Sequence, residues 1–245
     1  MRIIFISPHL DDAVLSCGGI INNLTRKGQT VEIWTVFAGD PPDNHFSPFA
    51  LSLHNRWQLT TDTVRQRRNE DINACKLLNT GYRHFDFPDC VYRTIDQNQP
   101  LVEKEEDLFQ NTPGSQKNIL IQITQQISNF IKKDDILISP LAIGGHIDHH
   151  IVKDALKKIK NIDKYYYQDY PYQLNEPQAN KQTSRLTPMK YNISQADIDQ
   201  WQTAISMYRS QISTFWLDIQ NMKENIQQFA DQGGGHQLWQ SKTLP

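Results

Sequence analysis

Two short stretches of the sequence carry residue types suited to chemistry rather than packing. In SPHLDDAVLSCGG, Ser7 to Gly19, His9 is followed by Asp11 and Asp12; in PLAIGGHIDHH, residues 140–150, His146 is followed by Asp148 and His149. His9 and Asp12 are three apart, as are His146 and His149, so each pair can turn two side chains toward one centre where a strand becomes a helix. Two histidines and one carboxylate with open positions make a catalytic metal site rather than a closed structural one. Neither cluster offers a thiolate ligand, so Zn²⁺ on nitrogen and oxygen donors is the natural ion, and the same donors serve Fe²⁺. Such an ion brings the pKa of a bound water down to about 7. Asp11, not needed as a ligand, could take the water's proton as general base. A protonated His146 could stabilise an oxyanion and donate to a leaving group, while Asp148 could orient an imidazole from behind. Each residue alone has an ordinary reading: a hydrogen-bonded histidine at a strand end, Asp12 as a helix N-cap, His149-His150 as an exposed helix face. The pairing of the two clusters carries the inference.

Elements must bring these residues together. Arg2–Ser7 reads as a strand covered on both faces, followed by a helix from Asp12 to about Lys27 that stops at Gly28. Val31–Phe37 reads as a second strand. The segment AGDPPDNHFSPFALSLHNRWQ reads as an active-site rim, because long loops in compact domains are usually functional. Thr60–Leu78 reads as an amphipathic helix, Tyr82–Phe87 as a third strand ended by Pro88-Asp89, and residues 91–115 as irregular. Then come a helix over Asn118–Lys133, a fourth strand at Ile136–Ser139, a loop through Pro140 and Gly144-Gly145, and a helix from about Asp148 to Lys160. Tyr165–Gln168 reads as a fifth strand. Ile193–Phe229 reads as one long helical stretch with Ser194 as N-cap, and Gly233–Gly235 as a turn. Strands alternating with helices predict a single α/β domain over residues 1–245, Rossmann-like and three-layered, with a mainly parallel sheet. Ligands in such sheets collect at the carboxyl ends of the strands, where both His/Asp clusters fall.

Composition narrows the classes. The 245 residues carry a net charge of −2 with 21% charged residues, so no basic field suggests a nucleic-acid partner. Hydrophobic residues make up 38%, and no run reaches the roughly 18 apolar residues of a membrane helix. MRIIFIS reads as a strand rather than the apolar core of a signal peptide. Three scattered cysteines, Cys17, Cys75 and Cys90, suit a reducing compartment. A cytoplasmic globular protein is the expectation.

HLDDA followed by HIDH resembles the paired signatures, HPDDE and HxDH, of the GlcNAc-phosphatidylinositol de-N-acetylase family, also called PIG-L or LmbE-like. The resemblance extends over most of the chain through RRNEDINACKLL, FPD at 87–89, YYYQDYPY at 165–172 and YRSQ at 208–211. SPHLDDAVLS, with FAGDPP and LHNRW downstream, is most similar to the branch of glycopeptide and sugar deacetylases. This resemblance implies a zinc-dependent N-deacetylase acting on an N-acetyl or longer N-acyl amino-sugar or glycoconjugate. It implies His9, Asp12 and His149 as metal ligands and Asp11 as general base. His146 would stabilise the oxyanion or act as general acid, with Asp148 tuning it, and Asp89 would contact sugar hydroxyls. Arg67 and Glu70 match an R-x-x-E pattern with a substrate role, although a helical i,i+3 ion pair is the plain alternative. Two positions depart from the family wording. Leu10 replaces Pro where no side-chain chemistry is needed, and Ala13 replaces a Glu outside the ligand set.

Other features are bland. Gly18-Gly19 lack dinucleotide-fingerprint spacing and suit close helix packing, and Cys17 reads as buried packing. Trp201, Tyr208, Phe215 and Trp216 read as a core stripe, and Tyr165–Tyr167 with Tyr172 as strand and rim aromatics. Three other functions fit parts of the sequence. A non-haem Fe(II) oxygenase would use the two HxD triplets, but on an antiparallel jelly roll. A non-catalytic glycan-binding module would keep the pocket without turnover. A receiver-like Mg²⁺ domain would use Asp11-Asp12 but leaves His146 and His149 unexplained.

Overall fold

The first strand, β1 (Ile3–Ser7), fixes the architecture because every residue in it is buried. Ile3 and Phe5 point into one apolar core, with Val14, Ile20 and Ile33. Ile4 and Ile6 point into another, with Trp34, Ile123 and Ile151. Alternate residues of a strand face opposite sides, so an unbroken apolar run requires helices on both faces. The computed structural model describes residues 1–42, 46–59, 62–96, 99–110, 112–176 and 183–241.

The elements follow as α1 (Asp12–Arg26), β2 (Val31–Thr35), α2 (Pro48–Arg56), α3 (Thr63–Leu77), β3 (Gly81–His84), α4 (Lys117–Phe130), β4 (Ile136–Pro140), α5 (Ile147–Lys158), β5 (Asp163–Tyr167), β6 (Leu186–Lys190), α6 (Gln195–Ile205), α7 (Arg209–Phe215), α8 (Ile219–Asp231) and β7 (Gln237–Ser241). They build one seven-stranded sheet in the order β3-β2-β1-β4-β5-β7-β6. β1 pairs in parallel with β2 on one side and β4 on the other, with Ile3 opposite Val31 and Ile136. The five strands β3 to β5 are parallel, and β7 and β6 add an antiparallel edge. The α/β, mainly parallel expectation is met, and a jelly roll is not.

Several elements depart from the sequence reading. β2 and β3 stop at Thr35 and His84, short of the Phe37 and Phe87 expected. Beyond them the chain bends over the strand ends and pairs singly, as at Phe37–Asp86 and Gly39–Pro88. The rim segment contains a helix, α2, whose start is written as Ser47-Pro48: Ser47 Oγ accepts from Ala50 N–H at 3.1 Å and Pro48 supplies a preset φ. Short 3-10 turns at Cys90–Tyr92, Glu105–Phe109 and Gly114–Gln116 punctuate 91–115. Residues 43–45 of the rim segment, residues 97, 98 and 111 of the irregular segment, and Thr60 and Thr61 of the expected third helix lie outside the described residues. The long stretch 193–229 is three helices, because Trp216 is extended and Asp218 starts a new helix by accepting from Asn221 N–H at 2.8 Å. β6 and β7 have no counterpart in the sequence reading; Pro188 removes a ladder donor and confines β6 to the edge.

α1 and α6 meet closely at Gly18, where an added Cβ would overlap the indole of Trp201. Trp201 Nε1 donates to Val14 O at 2.6 Å across the same contact. Asp197, fully buried, ties the start of α6 to α1: it accepts from Ser194 N and Oγ, Asn22, Asn23 and Arg26. Burial pushes this carboxyl up, but the hydrogen bonds from Ser194, Asn23 and Arg26 outweigh it and hold the group well below the usual range. Asp197→Ala is expected to cost about 3 kcal/mol in urea unfolding near neutral pH, a lost cap plus stranded donors. A carboxyl depressed in the folded state stabilises above its unfolded pKa, so the gap between wild type and variant should shrink below about pH 4. A gap that persists unchanged in acid would contradict this account.

Among the described residues no helix is long and apolar enough to cross a membrane, and all three cysteines are free and buried.

Candidate active site

The turn leaving β1 is locked by Ser7, whose Oγ donates to His9 O at 2.6 Å and accepts from Ala13 N–H at 3.0 Å. Asp12 opens α1 and reaches back, its Oδ2 accepting from His9 N–H at 2.8 Å. The loop after β4 reverses through Gly144 and Gly145, both at positive φ, where a left-handed backbone favours glycine. A Cβ on Gly144 would also lie 2.6 Å from Tyr172 Cβ. That reversal sets His146 at the N-cap of α5, its Nδ1 accepting from Asp148 N–H at 3.2 Å.

β1 and β4 are adjacent, so the two clusters meet. His9, His146 and His149 offer ring nitrogens within 4.8 Å of one another. Asp12 Oδ2 lies 3.2 Å from His9 Nδ1 and 3.3 Å from His149 Nε2. The far nitrogens are held by other carboxylates: His9 Nε2 by Asp148 Oδ2 at 3.1 Å, and His149 Nδ1 by Asp169 Oδ1 at 2.7 Å. His149 Nε2 is fully buried and makes no hydrogen bond. Burial disfavours the imidazolium, yet Asp12 and Asp169 lift His149 to about 9. His9 is likewise raised, by Asp89, Asp12 and Asp148 against burial. Burial, with the neighbouring rings of His9 and His149, holds His146 well below the usual histidine range. Its ring is therefore neutral, and with Nδ1 accepting, its proton sits on Nε2.

His9, Asp12 and His146 line a cavity of about 300 Å³, while His149, Asp148 and Asp169 are buried and do not line it. Asp11 lines it, its carboxyl raised to about 7 by burial and by the charge of Asp12, against the pull of Arg67. Arg67 stands 3.8 Å from Asp11 and stacks on Trp57 with its guanidinium carbon 4.6 Å from the ring centroid. Glu70 turns away to accept from Ser210 N–H and Oγ–H at 2.9 and 2.6 Å, so the R-x-x-E residues serve different partners. Asp89 lines the cavity, caps the turn at Cys90–Tyr92, and lies 3.7 Å from His9 Nε2. Asp148, fully buried, meets His9 and Arg93 with its carboxylate and reaches His146 only through its backbone N–H. Phe49, Leu53, Trp57, Val91, Leu108, Phe109, Tyr172 and Phe215 form the walls.

Two residues escape the sequence reading. Asp169 lies in YYYQDYPY, directly past β5, and its position at a third strand end is the available signal. Arg93 has no such signal, since nothing in RTIDQ marks a cation bound for a buried carboxylate.

Fold and cavity together define a Rossmann-like α/β protein with an imidazole–carboxylate centre at its strand ends. Residues 4–160 match the PIG-L family, described as GlcNAc-PI de-N-acetylase, and the chain belongs to that family. It is 27% identical over 188 residues to 2'-N-acetylparomamine deacetylase of Niallia circulans, covering 69% of this chain and 66% of that protein. The same-named protein of Streptomyces fradiae is 26% identical over 177 residues, covering 70% and 57%. The match thus spans less than two thirds of these curated relatives' length. The crystal structure of the zinc-inhibited form of teicoplanin deacetylase superposes with a TM-score of 0.85 at 27% identity, covering 100% of both chains.

Proposed function

We propose that this protein is a zinc-dependent N-deacetylase that hydrolyses the amide of an N-acetyl or N-acyl amino-sugar or glycoconjugate. The observation that carries the reading is the buried Nε2 of His149, which makes no hydrogen bond and stands 3.3 Å from Asp12 Oδ2 while Asp169 engages the opposite nitrogen. A buried imidazole nitrogen without a hydrogen bond is costly unless a ligand satisfies it. With His9 Nδ1 and Asp12 Oδ2 beside it, this is an N₂O donor set with carboxylates behind both imidazoles, the arrangement that suits zinc. The deacetylase activity of the relatives supports the reaction, and the zinc-inhibited form of teicoplanin deacetylase supports an affinity of this fold for the ion.

His9, Asp12 and His149 would hold the ion. Zinc supplies a Lewis acid and a water acidified to a pKa of about 7. Asp11, lining the cavity and basic near neutrality, takes the proton of the water that attacks the amide carbonyl. His146 donates its Nε2–H to the oxygen on which charge develops, acting as a neutral donor rather than an imidazolium. The C–N bond then breaks, the amine leaves with the proton that Asp11 took from the water, and the carboxylate is the second product. Asp89 and Arg67 bind the substrate, the carboxylate accepting from sugar hydroxyls and the guanidinium donating.

Metal content of the purified protein and amine release from N-acetylated sugars, with and without chelator, test the reading together. One zinc or iron per chain with chelator-sensitive release supports it. Metal without turnover on any amino-sugar would leave the glycan-binding alternative, and no metal after reconstitution would overturn the site. Asp169→Asn should weaken zinc affinity by about 10–100-fold in a competitive chelator titration, the usual cost of losing a partner behind a ligand. Unchanged affinity would remove Asp169 from the metal site.

A further inference from the structure

We infer that Arg93, resting on the metal reading above, is a positioning residue: by holding Asp148 against His9 Nε2 it sets the ring orientation, and hence the affinity, of the His9–Asp12–His149 centre. Arg93 is buried and donates to Asp148 Oδ1 through NH2 and to Pro88 O through NH1 at 3.4 Å. Its guanidinium also lies over Phe37, the carbon 4.8 Å from the ring centroid. Asp148 has no exposed side-chain surface, and its other oxygen takes His9 Nε2–H at 3.1 Å and Cys90 N–H at 3.0 Å. Removing the cation from a buried pair leaves an uncompensated charge, which relaxes by moving or taking up a proton.

His9 has a competing partner. Asp89 Oδ2 lies 3.7 Å from the same Nε2, so two carboxylates contend for one imidazole proton. Arg93 decides the contest by fixing Asp148, and its second arm on Pro88 O pins the residue just before Asp89. Without Arg93 the ring of His9 is free to follow Asp89 toward the cavity, carrying Nδ1 away from Asp12. The arginine thus joins the turn that carries a substrate contact to the imidazole that carries a ligand atom, through one carboxylate.

The test is zinc affinity by competition with a chromophoric chelator, for wild type, Arg93→Met and Arg93→Lys. Thermal unfolding of the metal-free proteins reads any purely structural loss separately. Methionine keeps the stem over Phe37 without the charge and should bind zinc at least about 10-fold more weakly. Lysine brings a charge to Asp148 but cannot fork to Pro88 O as well, so its affinity should fall between the other two. Wild-type affinity in Arg93→Met overturns the inference while leaving the metal reading intact. Should Arg93→Met fail to fold, Arg93→Lys decides alone: weaker binding supports the role and wild-type binding overturns it. Zinc binding absent from the wild type itself would overturn the metal reading, and this inference with it.

Discussion

Asp12→Ala should leave a folded protein that no longer retains zinc and no longer turns over. One oxygen of Asp12 stands 3.2 Å from His9 Nδ1 and 3.3 Å from His149 Nε2, and also accepts from His9 N–H. Asp148 and Asp169 cannot take that position, because they face the opposite sides of the two rings. The substitution removes one of the three donors of the proposed metal site and the carboxylate between the two imidazoles. Loss of a direct ligand should exceed the roughly 10–100-fold cost of an outer partner, so a drop on the order of 1,000-fold or more in affinity is expected. Zinc content after dialysis, chelator competition and amine release from an N-acetylated sugar measure it. Full zinc occupancy in the variant would exclude Asp12 as a ligand.

Asp11→Asn separates chemistry from metal binding. Asp11 is the neighbour of Asp12 in sequence, yet it faces Arg67 and the cavity rather than the imidazoles of His9 and His149. Burial and Asp12 raise its carboxyl to about 7, where a base takes and returns a proton with least penalty. Asparagine keeps the shape and loses the proton acceptor. The expected result is wild-type zinc content, little change in KM, and kcat lower by about 100- to 10,000-fold, the usual worth of a general base. A variant that retains the full rate would transfer the role elsewhere. Together the two substitutions ask whether adjacent carboxylates have separate functions: the first should lose the metal, the second only the rate.

The turn geometry explains why adjacent aspartates diverge. Asp12 is the first residue of α1 and reaches back to His9 N–H, whereas Asp11, just outside the helix with an extended backbone, points across to α3. Spacing three along a strand-to-helix turn already implies this division, since i and i+3 share a side there.

The alternation of strands and helices was legible because its cause is local. An apolar run buried on both faces, as in IIFIS, can only be an inner strand, and glycine and proline mark where strands give way to loops. The placement of both His/Asp clusters at strand ends followed from that alternation, while the likeness to a deacetylase family rested on the HLDDA and HIDH wording itself. The edge strands were not legible: LTPMK and QLWQS are short, one holds a proline, and only their mutual pairing gives them a place. The same holds for the helix breaks in 193–229, where an unbroken apolar stripe hides two turns.

The sequence alone determined which residue types are present and at which ends of which elements they stand. Tertiary structure decided which nitrogen of each imidazole faces the centre, because that depends on partners far along the chain. His9 and Asp148 are 139 residues apart, and Arg93 and Asp148 are 55 apart. Such pairs are chosen by the adjacency of β1 and β4 and by the path of the chain over the strand ends, and a hydrogen bond between side chains leaves no periodic trace in sequence.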